Sequence, residues 1–219
     1  MKSKQIILAK QGVLRKYYQN SRDAERERQV YNKKLDIMPA MIGSGREGSR
    51  EYNDFKYLNC HNLWQKKIID FGSVARLYGR LHSEEKNEEM VICQIDTNPQ
   101  NIVYIEQSDR YYLLDFVDWR LEYAEYDLIH FLLFWAATKT NDEYIQIEQE
   151  FLNAYATCRY IDYKRWQSLV PQVIKYFDER RQYYGKREKN MSSDSQVNRS
   201  HLARFSGAVR VNKVENEIE

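Results

Sequence analysis

Cysteine is scarce and unpatterned in this chain. Cys60, Cys93 and Cys158 are odd in number, far apart and without metal-ligand spacing, which excludes a disulfide framework and a sequence-local zinc site. Each reads as a small buried hydrophobe, and such usage fits a reducing, cytoplasmic setting. An excess of one charge is lacking as well. With 34 Lys and Arg against 32 Asp and Glu, the formal net charge is only +2, and the two signs are interleaved, so no nucleic-acid partner is expected. Long hydrophobic runs are missing. The most apolar stretch, Leu128 to Ala137, falls far short of the ~20 residues a bilayer crossing needs and contains His130. It predicts a buried helix, with Leu128, Ile129, Leu132, Leu133 and Trp135 packed on most sides. No signal peptide, membrane partner or internal repeat is expected, and nothing in the sequence specifies an oligomeric state.

What the chain does have is length, tyrosine and a cluster of polar residues in one stretch. Its 219 residues are enough to bury a real core, as one compact domain or two lobes around a cleft. The 18 tyrosines imply a surface that is aromatic with a polar rim. Between Val91 and Leu128 the apolar run Val91-Ile92-Cys93 breaks into the loop Gln94 to Asn101 and resumes at Ile102 to Ile105, which predicts a strand, a tight loop and a second strand. Pro99 presets its own backbone angle and stiffens that loop between Asp96 and Asn101. After a turn at Ser108 to Arg110, the run Tyr111 to Leu114 delivers Asp115 to a strand end, a usual place for a metal ligand.

These residue types suit phosphoryl transfer. The reaction needs a carboxylate to orient and deprotonate an attacking hydroxyl, and hard oxygen ligands for a magnesium ion bridging the phosphates. Asp96 would be the first, Asn101 and Asp115 the second. One aspartate in a loop is ordinarily a turn former. Turn chemistry, however, does not predict a second carboxylate after a hydrophobic hairpin.

The segment from Gln94 to Asn101, then Leu113-Leu114-Asp115-Phe116-Val117-Asp118, then Glu125-Tyr126-Asp127-Leu128, resembles the aminoglycoside phosphotransferase and choline kinase family. That family's pattern is H-G-D-x-x-P-x-N, a short hairpin, I-D-F-x-D and P-x-Y-D-L. The resemblance implies an α+β, protein-kinase-like two-lobe fold, with a truncated small β-lobe over residues 1–59 and a mainly helical large lobe over 60–219. It implies ATP and magnesium as cofactors and a small-molecule hydroxyl substrate. By position, Asp96 becomes the catalytic base, Asn101 and Asp115 the magnesium ligands, and Asp127 the brace of the catalytic loop. Upstream, Phe71 to His82 is similar to the helix before the catalytic strand. Phe55 to Leu63 is similar to the hinge that pairs with adenine, which makes Phe55, Tyr57 and Asn59 candidates for contact. Glu27 then partners a phosphate-binding cation on Val13 to Tyr17. Either Arg15 or Lys16 fills that role, and alternation alone does not say which faces the cleft.

The chain departs from the pattern in three single residues and one whole feature. Gln94 stands for the family His, Ile95 for the following Gly and Lys56 for the hinge Glu. The glycine-rich cover is absent. About a dozen residues precede the cation-bearing strand, too few for two strands and a covering loop. Lys4 to Leu8, turning at Lys10-Gln11-Gly12, supplies one hairpin with Val13 to Tyr17 and nothing more, and Gly43, Gly45 and Gly48 come after the first helix. A degenerate pseudokinase, acting as scaffold or regulator, is therefore the alternative to a working phosphotransferase. An accidental motif match in a purely structural protein is the weaker third.

The remaining elements are coarser. Ser21 or Asp23 caps a charged helix to about Lys34, and Ile37 to Ile42 forms the next strand. Asn62 or Leu63 opens a helix to about His82, followed by a polar connector from Ser83 to Glu89. A helix follows Asp142, and another spans Tyr163 to Tyr184 with Pro171 bending it or marking its start. Gly185 to Asn198 is read as a mobile loop and His201 to Val211 as a last helix. His82 and His130 are read as structural, and Asp142, Glu143, Glu148 and Glu150 as a solvated helix face rather than a cation-attracting patch.

Overall fold

A computed structural model of the chain describes residues 5–9, 12–84, 89–184 and 191–205. The first quarter of the chain builds one antiparallel sheet around one helix. Strands β1 (Gln5–Ala9) and β2 (Val13–Tyr18) form a hairpin, helix α1 (Ser21–Tyr31) follows, and β3 (Met41–Glu47) and β4 (Arg50–Lys56) complete the sheet in the order β1-β2-β4-β3. Period-two alternation sorts β2 into two faces. Leu14, Lys16 and Tyr18 turn toward α1 and the rest of the molecule, while Arg15 and Tyr17 share the other face. The buried side chain of Asn53 ties the helix to the sheet: its amide donates to the Tyr18 hydroxyl (2.9 Å) and the Ala24 carbonyl (3.3 Å), and its oxygen accepts from Arg28 Nε (2.8 Å).

The rest of the chain is mainly helical. It runs through β5 (His61–Asn62), α2 (Phe71–Leu81), β6 (Val91–Cys93), the hairpin β7 (Ile102–Ile105) and β8 (Arg110–Leu113), β9 (Arg120–Glu122), α3 (Ala124–Thr138), α4 (Asn141–Ala156), α5 (Tyr163–Tyr184) and α6 (Ser195–Ala203). Helix α3 is buried from Ala124 to Ala137 and packs against α4, α5 and α6. That burial is what the apolar run predicts. Phe131 and Phe151 stack at 4.6 Å, and Trp166 is enclosed with its indole N–H on the Leu202 carbonyl (3.0 Å). Each such side chain contributes roughly 1.5–3 kcal/mol by leaving water. Among the described residues no helix is long and apolar enough to cross a membrane.

Several boundaries differ from the sequence expectations, each for a local reason. Helix α1 is capped by Asn20, which accepts from the Asp23 N–H (2.8 Å), not by Ser21 or Asp23. The strand expected at Ile37 to Ile42 starts only at Met41, because Ile37 turns its carbonyl to the Leu113 N–H (2.8 Å) and packs in the core. The sheet has four strands, the expected hairpin being extended where β4 joins β2 to the β3 edge. Helix α2 begins after Asp70, whose carboxylate accepts from the Ser73 N–H (2.7 Å), and the preceding residues are held out of it by the pairing of β5 with β7. Of the segment read as a mobile loop, residues 185–190 lie outside the described residues, and Ser195 already opens α6. The last helix ends at Ala203, and its expected continuation to Val211 falls on residues that are not described beyond Phe205. Lys10 and Gln11 of the expected turn, and residues 85–88 of the polar connector, are likewise outside. Pro171 lies within α5.

Helices α2 and α4 approach closely because α2 presents small residues. A Cβ on Gly72 would meet the Ala154 Cβ at 3.5 Å, and one on Gly79 would meet the Cys158 Cβ at 2.5 Å. The second contact is too short to be relieved by a rotamer change. Gly79→Ala is expected to lower unfolding free energy by about 1–3 kcal/mol. Adding Cys158→Gly should restore most of that loss in urea denaturation. A double variant no more stable than Gly79→Ala alone would show that the helices are not limited by this contact.

Candidate active site

The site is assembled around one buried ammonium. Lys16 reaches from β2 to both oxygens of Glu27 on α1 (2.8 and 2.7 Å) and to Asp115 Oδ1 just beyond β8 (3.0 Å). Burial alone would push the lysine down, but Glu27 and Asp115 outweigh it and hold the amine above its ordinary value. Glu27 is itself saturated: it also accepts from the Phe116 N–H (2.9 Å) and from the Tyr18 hydroxyl. The choice left open in the sequence is thereby decided. Lys16 faces the interior, whereas Arg15 lies on the other side of the sheet, paired with Asp54 (2.7 Å) and stacked over Tyr52. Arg15 is withdrawn as a cleft residue.

The loop after β6 is held by Asp127. One carboxylate oxygen accepts from the Gln94 N–H (2.6 Å) and the other from the Ile95 N–H (2.8 Å), which draws the loop onto the first turn of α3. Ile95 has φ +70, a conformation that a β-branched residue adopts only under constraint. The Asp96 N–H closes a three-residue turn around it by donating to the Gln94 carbonyl (2.9 Å). The Gln94 side chain replaces an imidazole with an amide that spans two partners. It accepts from the Tyr78 hydroxyl (2.9 Å) and donates to the Leu114 carbonyl (2.6 Å), one residue before Asp115. Asp115 also has a positive φ, +62. Pro99 opens a single 3-10 turn ending at Asn101, whose side-chain amide donates to the Asp96 carbonyl (2.9 Å). Asp96, Asn101 and Asp115 are thus brought to one place.

Behind the loop, His82, Cys93 and Asp127 converge in the interior. Sequence spacing did not foretell that grouping, because the three come from α2, β6 and α3. Their atoms are committed to the protein. His82 lies 3.3 Å from Asp127 and 2.9 Å from the Tyr155 hydroxyl, Cys93 points at the Glu122 and Tyr123 carbonyls, and both Asp127 oxygens serve the loop amides. Burial pushes the Cys93 thiol well up, with Asp127 adding to it. The group braces the loop.

Two cavities meet at Asn101, Gln100 and Asp115. The first, of about 210 Å³, is walled by Leu14, Tyr31, Phe55, Leu58, Cys60 and Leu114, with Lys16 and Glu27 at its inner end. Of the three hinge candidates only Phe55 lines it. Tyr57 and Asn59 are exposed, because the chain after β4 turns Leu58 and Cys60 toward the cavity instead. The second cavity, of about 340 Å³, holds Asp96, Asn98, His130, Phe134, Phe177 and Arg180, with Arg181 beside them. Arg180 was not singled out from the sequence. It sits on the charged side of α5, and only the packing of α5 against α3 carries it to within 3.5 Å of Asp96 and 2.7 Å of Asp118. The acidic residues of α4 also separate: Glu148 is buried between Tyr144 (2.7 Å) and His201 (2.8 Å), and Glu150 accepts from the Gly72 N–H at the start of α2 (3.0 Å).

No family model matches the chain, and no curated protein sequence matches it. Solved structures do. A choline kinase, LicA from Streptococcus pneumoniae, superposes with a TM-score of 0.57 at 16% identity, covering 91% of this chain and 87% of its own. The aminoglycoside phosphotransferase APH(3'')-Id from Streptomyces rimosus gives 0.58 at 12% identity, with 74% and 88% covered. An aminoglycoside-3'-phosphotransferase of type VIII gives 0.52 at 12% identity, with 73% and 88% covered. At these identities the likeness establishes the fold, which is protein-kinase-like and α+β.

His130 on α3 floors the second cavity as a neutral ring. Its Nδ1 accepts from the Thr97 N–H (3.3 Å), and burial, aided by the nearby Arg180 cation, pushes the imidazole down to about 3. Its ordinary value is near 6.5, so between pH 6.5 and 3 the unfolded chain binds more protons than the folded one. The stability this group preserves is complete above pH 6.5 and is lost as pH falls, by an amount on the order of 5 kcal/mol. Urea titrations at several pH values should show a shallower acid decline in His130→Gln than in the parent. Parallel declines would contradict a neutral, buried His130.

Proposed function

We propose that the protein is an ATP- and magnesium-dependent phosphotransferase acting on a hydroxyl of a small molecule. The observation that carries the reading is the meeting of Asp96, Asn101 and Asp115 at the junction of two cavities, with Lys16 and Glu27 on the nucleotide side. The apolar first cavity suits an adenine base, with residues 1–59 as the lobe above it and 60–219 as the lobe below. Phe55 and Leu58 would pack against the base, and Lys16 would meet the phosphates. The donor set fits magnesium: the Asn101 side-chain nitrogen is used on the Asp96 carbonyl, which leaves its oxygen, together with the Asp115 carboxylate, as hard ligands. When bound, the ion would neutralise charge on the transferring phosphoryl group.

In this reading Asp96 accepts the proton of the acceptor hydroxyl, the hydroxyl oxygen forms the new P–O bond, and the bond to ADP breaks. Asp127 acts through the loop, fixing Asp96 by holding Gln94 and Ile95. Asp118 orients Arg180. A pseudokinase scaffold is the second reading, favoured by the β1–β2 hairpin, in which Gly12 is the one glycine between Gln5 and Tyr18.

Thermal denaturation separates the two readings. Mg-ATP at about 100 times its dissociation constant should stabilise the fold by about 2.7 kcal/mol, and Asp115→Ala, or chelation of magnesium, should remove the shift. Asp96→Ala should keep the shift while transfer falls by about a hundredfold or more. No shift with any nucleotide would favour the scaffold.

A further inference from the structure

The second cavity has a charge pattern that selects its occupant, if the phosphotransferase reading holds. The charged groups lining it are Asp96, Asp115, Arg180 and Arg181. Asp115 shares the Lys16 ammonium (3.0 Å) with Glu27. Asp118 neutralises part of Arg180 without lining the cavity itself. The lining thus sets two guanidinium groups against two carboxylates, and Arg180 stands beside Asp96, the carboxylate that the hydroxyl must engage.

The aromatic surface points the same way. A cationic acceptor would need an open ring face or an uncommitted carboxylate. Phe177, one of the two phenyl rings lining the cavity, has Arg181 over it at 5.3 Å and Arg199 at 5.8 Å, so its electron-rich faces already attract cations of the protein. His130 is neutral and supplies neither sign. The nearest contacts of Arg180 to Asp118 and to Asp96 both use Nη2, and the longer of the two, 3.5 Å to Asp96, is the weaker. An anion arriving beside Asp96 can take that guanidinium edge while Asp118 keeps its hold. Planar, two-pronged recognition of carboxylate or phosphate is the geometry for which arginine is suited.

We propose that the acceptor is an anionic hydroxyl compound, carrying a carboxylate or phosphate group near the hydroxyl that is phosphorylated, and that Arg180 binds this group and determines the charge preference. Exchange of Arg180 from Asp96 to the acceptor would also release the Asp96 carboxylate for the hydroxyl proton, so that binding of the correct acceptor prepares the base. Choline-like and amino-sugar acceptors are disfavoured by the same guanidinium.

The test uses the full chain, radiolabelled ATP with magnesium, and a small-molecule cell extract split by ion exchange into anionic, uncharged and cationic pools. Transfer of label to the anionic pool is expected. Arg180→Met should lower kcat/KM on that pool by about a hundredfold, with Arg180→Lys between the two, because one partner of a desolvated charge pair is removed. The Mg-ATP thermal shift should be unchanged in both variants, which a merely structural role for Arg180 would not predict. Label appearing in the cationic or uncharged pool would overturn the charge assignment while leaving the phosphotransferase reading intact. Equal kcat/KM for Arg180→Met and the parent would overturn the role of Arg180. No transfer to any pool would overturn the proposed function, and this inference with it.

Discussion

One lysine ammonium shared by two carboxylates decides how the sheet and the helical part of this protein face each other. Glu27 follows Lys16 by eleven residues, but Asp115 follows it by ninety-nine, so the contact fixes the β2 strand against the end of β8. Taking three charges out of water is unfavourable unless each is compensated. Here each is. Glu27 adds the Phe116 N–H and the Tyr18 hydroxyl, and α1 is further tied to the turn after β8 by Trp119, whose indole N–H donates to the Arg26 carbonyl (2.5 Å). Helix α1 is therefore anchored at several points rather than poised to swing, and the cavity wall it forms is preset.

The same logic governs the loop that carries Asp96. Its least favourable element is Ile95, held at a positive φ where a glycine would be unstrained, at a cost of order 1–3 kcal/mol. Asp127 is what over-determines that conformation, by taking the amides of both Gln94 and Ile95. His82 and Tyr155 then hold Asp127 from behind. The isoleucine is not idle there, since its side chain is buried and adds apolar contact that a glycine could not. Backbone strain at the site is exchanged for burial one atom further out.

The loop, its hairpin and the apolar helix were readable because each depends on neighbours in the chain: short apolar runs at Val91 to Cys93 and Ile102 to Ile105, a proline in the loop, an unbroken apolar run in α3. Lys16 and Arg15 could not be separated that way, as strand alternation gives two faces without saying which one meets Glu27. The start of α2 was misplaced although Asp70 and Ser73 stand at capping distance, because the apolar residues from Leu63 onward extend the helical pattern upstream. Arg180 was invisible for a deeper reason. It lies among Asp178, Glu179 and Arg181 on a helix with ordinary surface charge, and nothing local marks the one guanidinium that α3 turns toward Asp96. In the segment matched to the hinge, the side chains of Tyr57 and Asn59 are exposed while Leu58 and Cys60 line the cavity, a choice of face that position alone does not give.

The β1–β2 hairpin, with Gly12 as its one glycine, carries no glycine-rich loop, and in the proposed reading that changes where binding energy must come from. The turn of the β1–β2 hairpin is at Gly12, with φ +80, and its carbonyl accepts from the Tyr57 N–H (2.8 Å). That bond latches the hairpin onto the segment following β4. A loop of backbone amides over the phosphates would share their charge among many weak dipoles. With the hairpin held elsewhere, in the proposed reading that charge falls to Lys16 and to a metal at Asn101 and Asp115. Point charges act over longer distances than amide dipoles but are screened wherever water enters. A site built this way depends on the apolar walls of Leu14, Tyr31 and Phe55 to keep water from the Lys16 ammonium, which is why the buried lysine and the apolar cavity belong to one design.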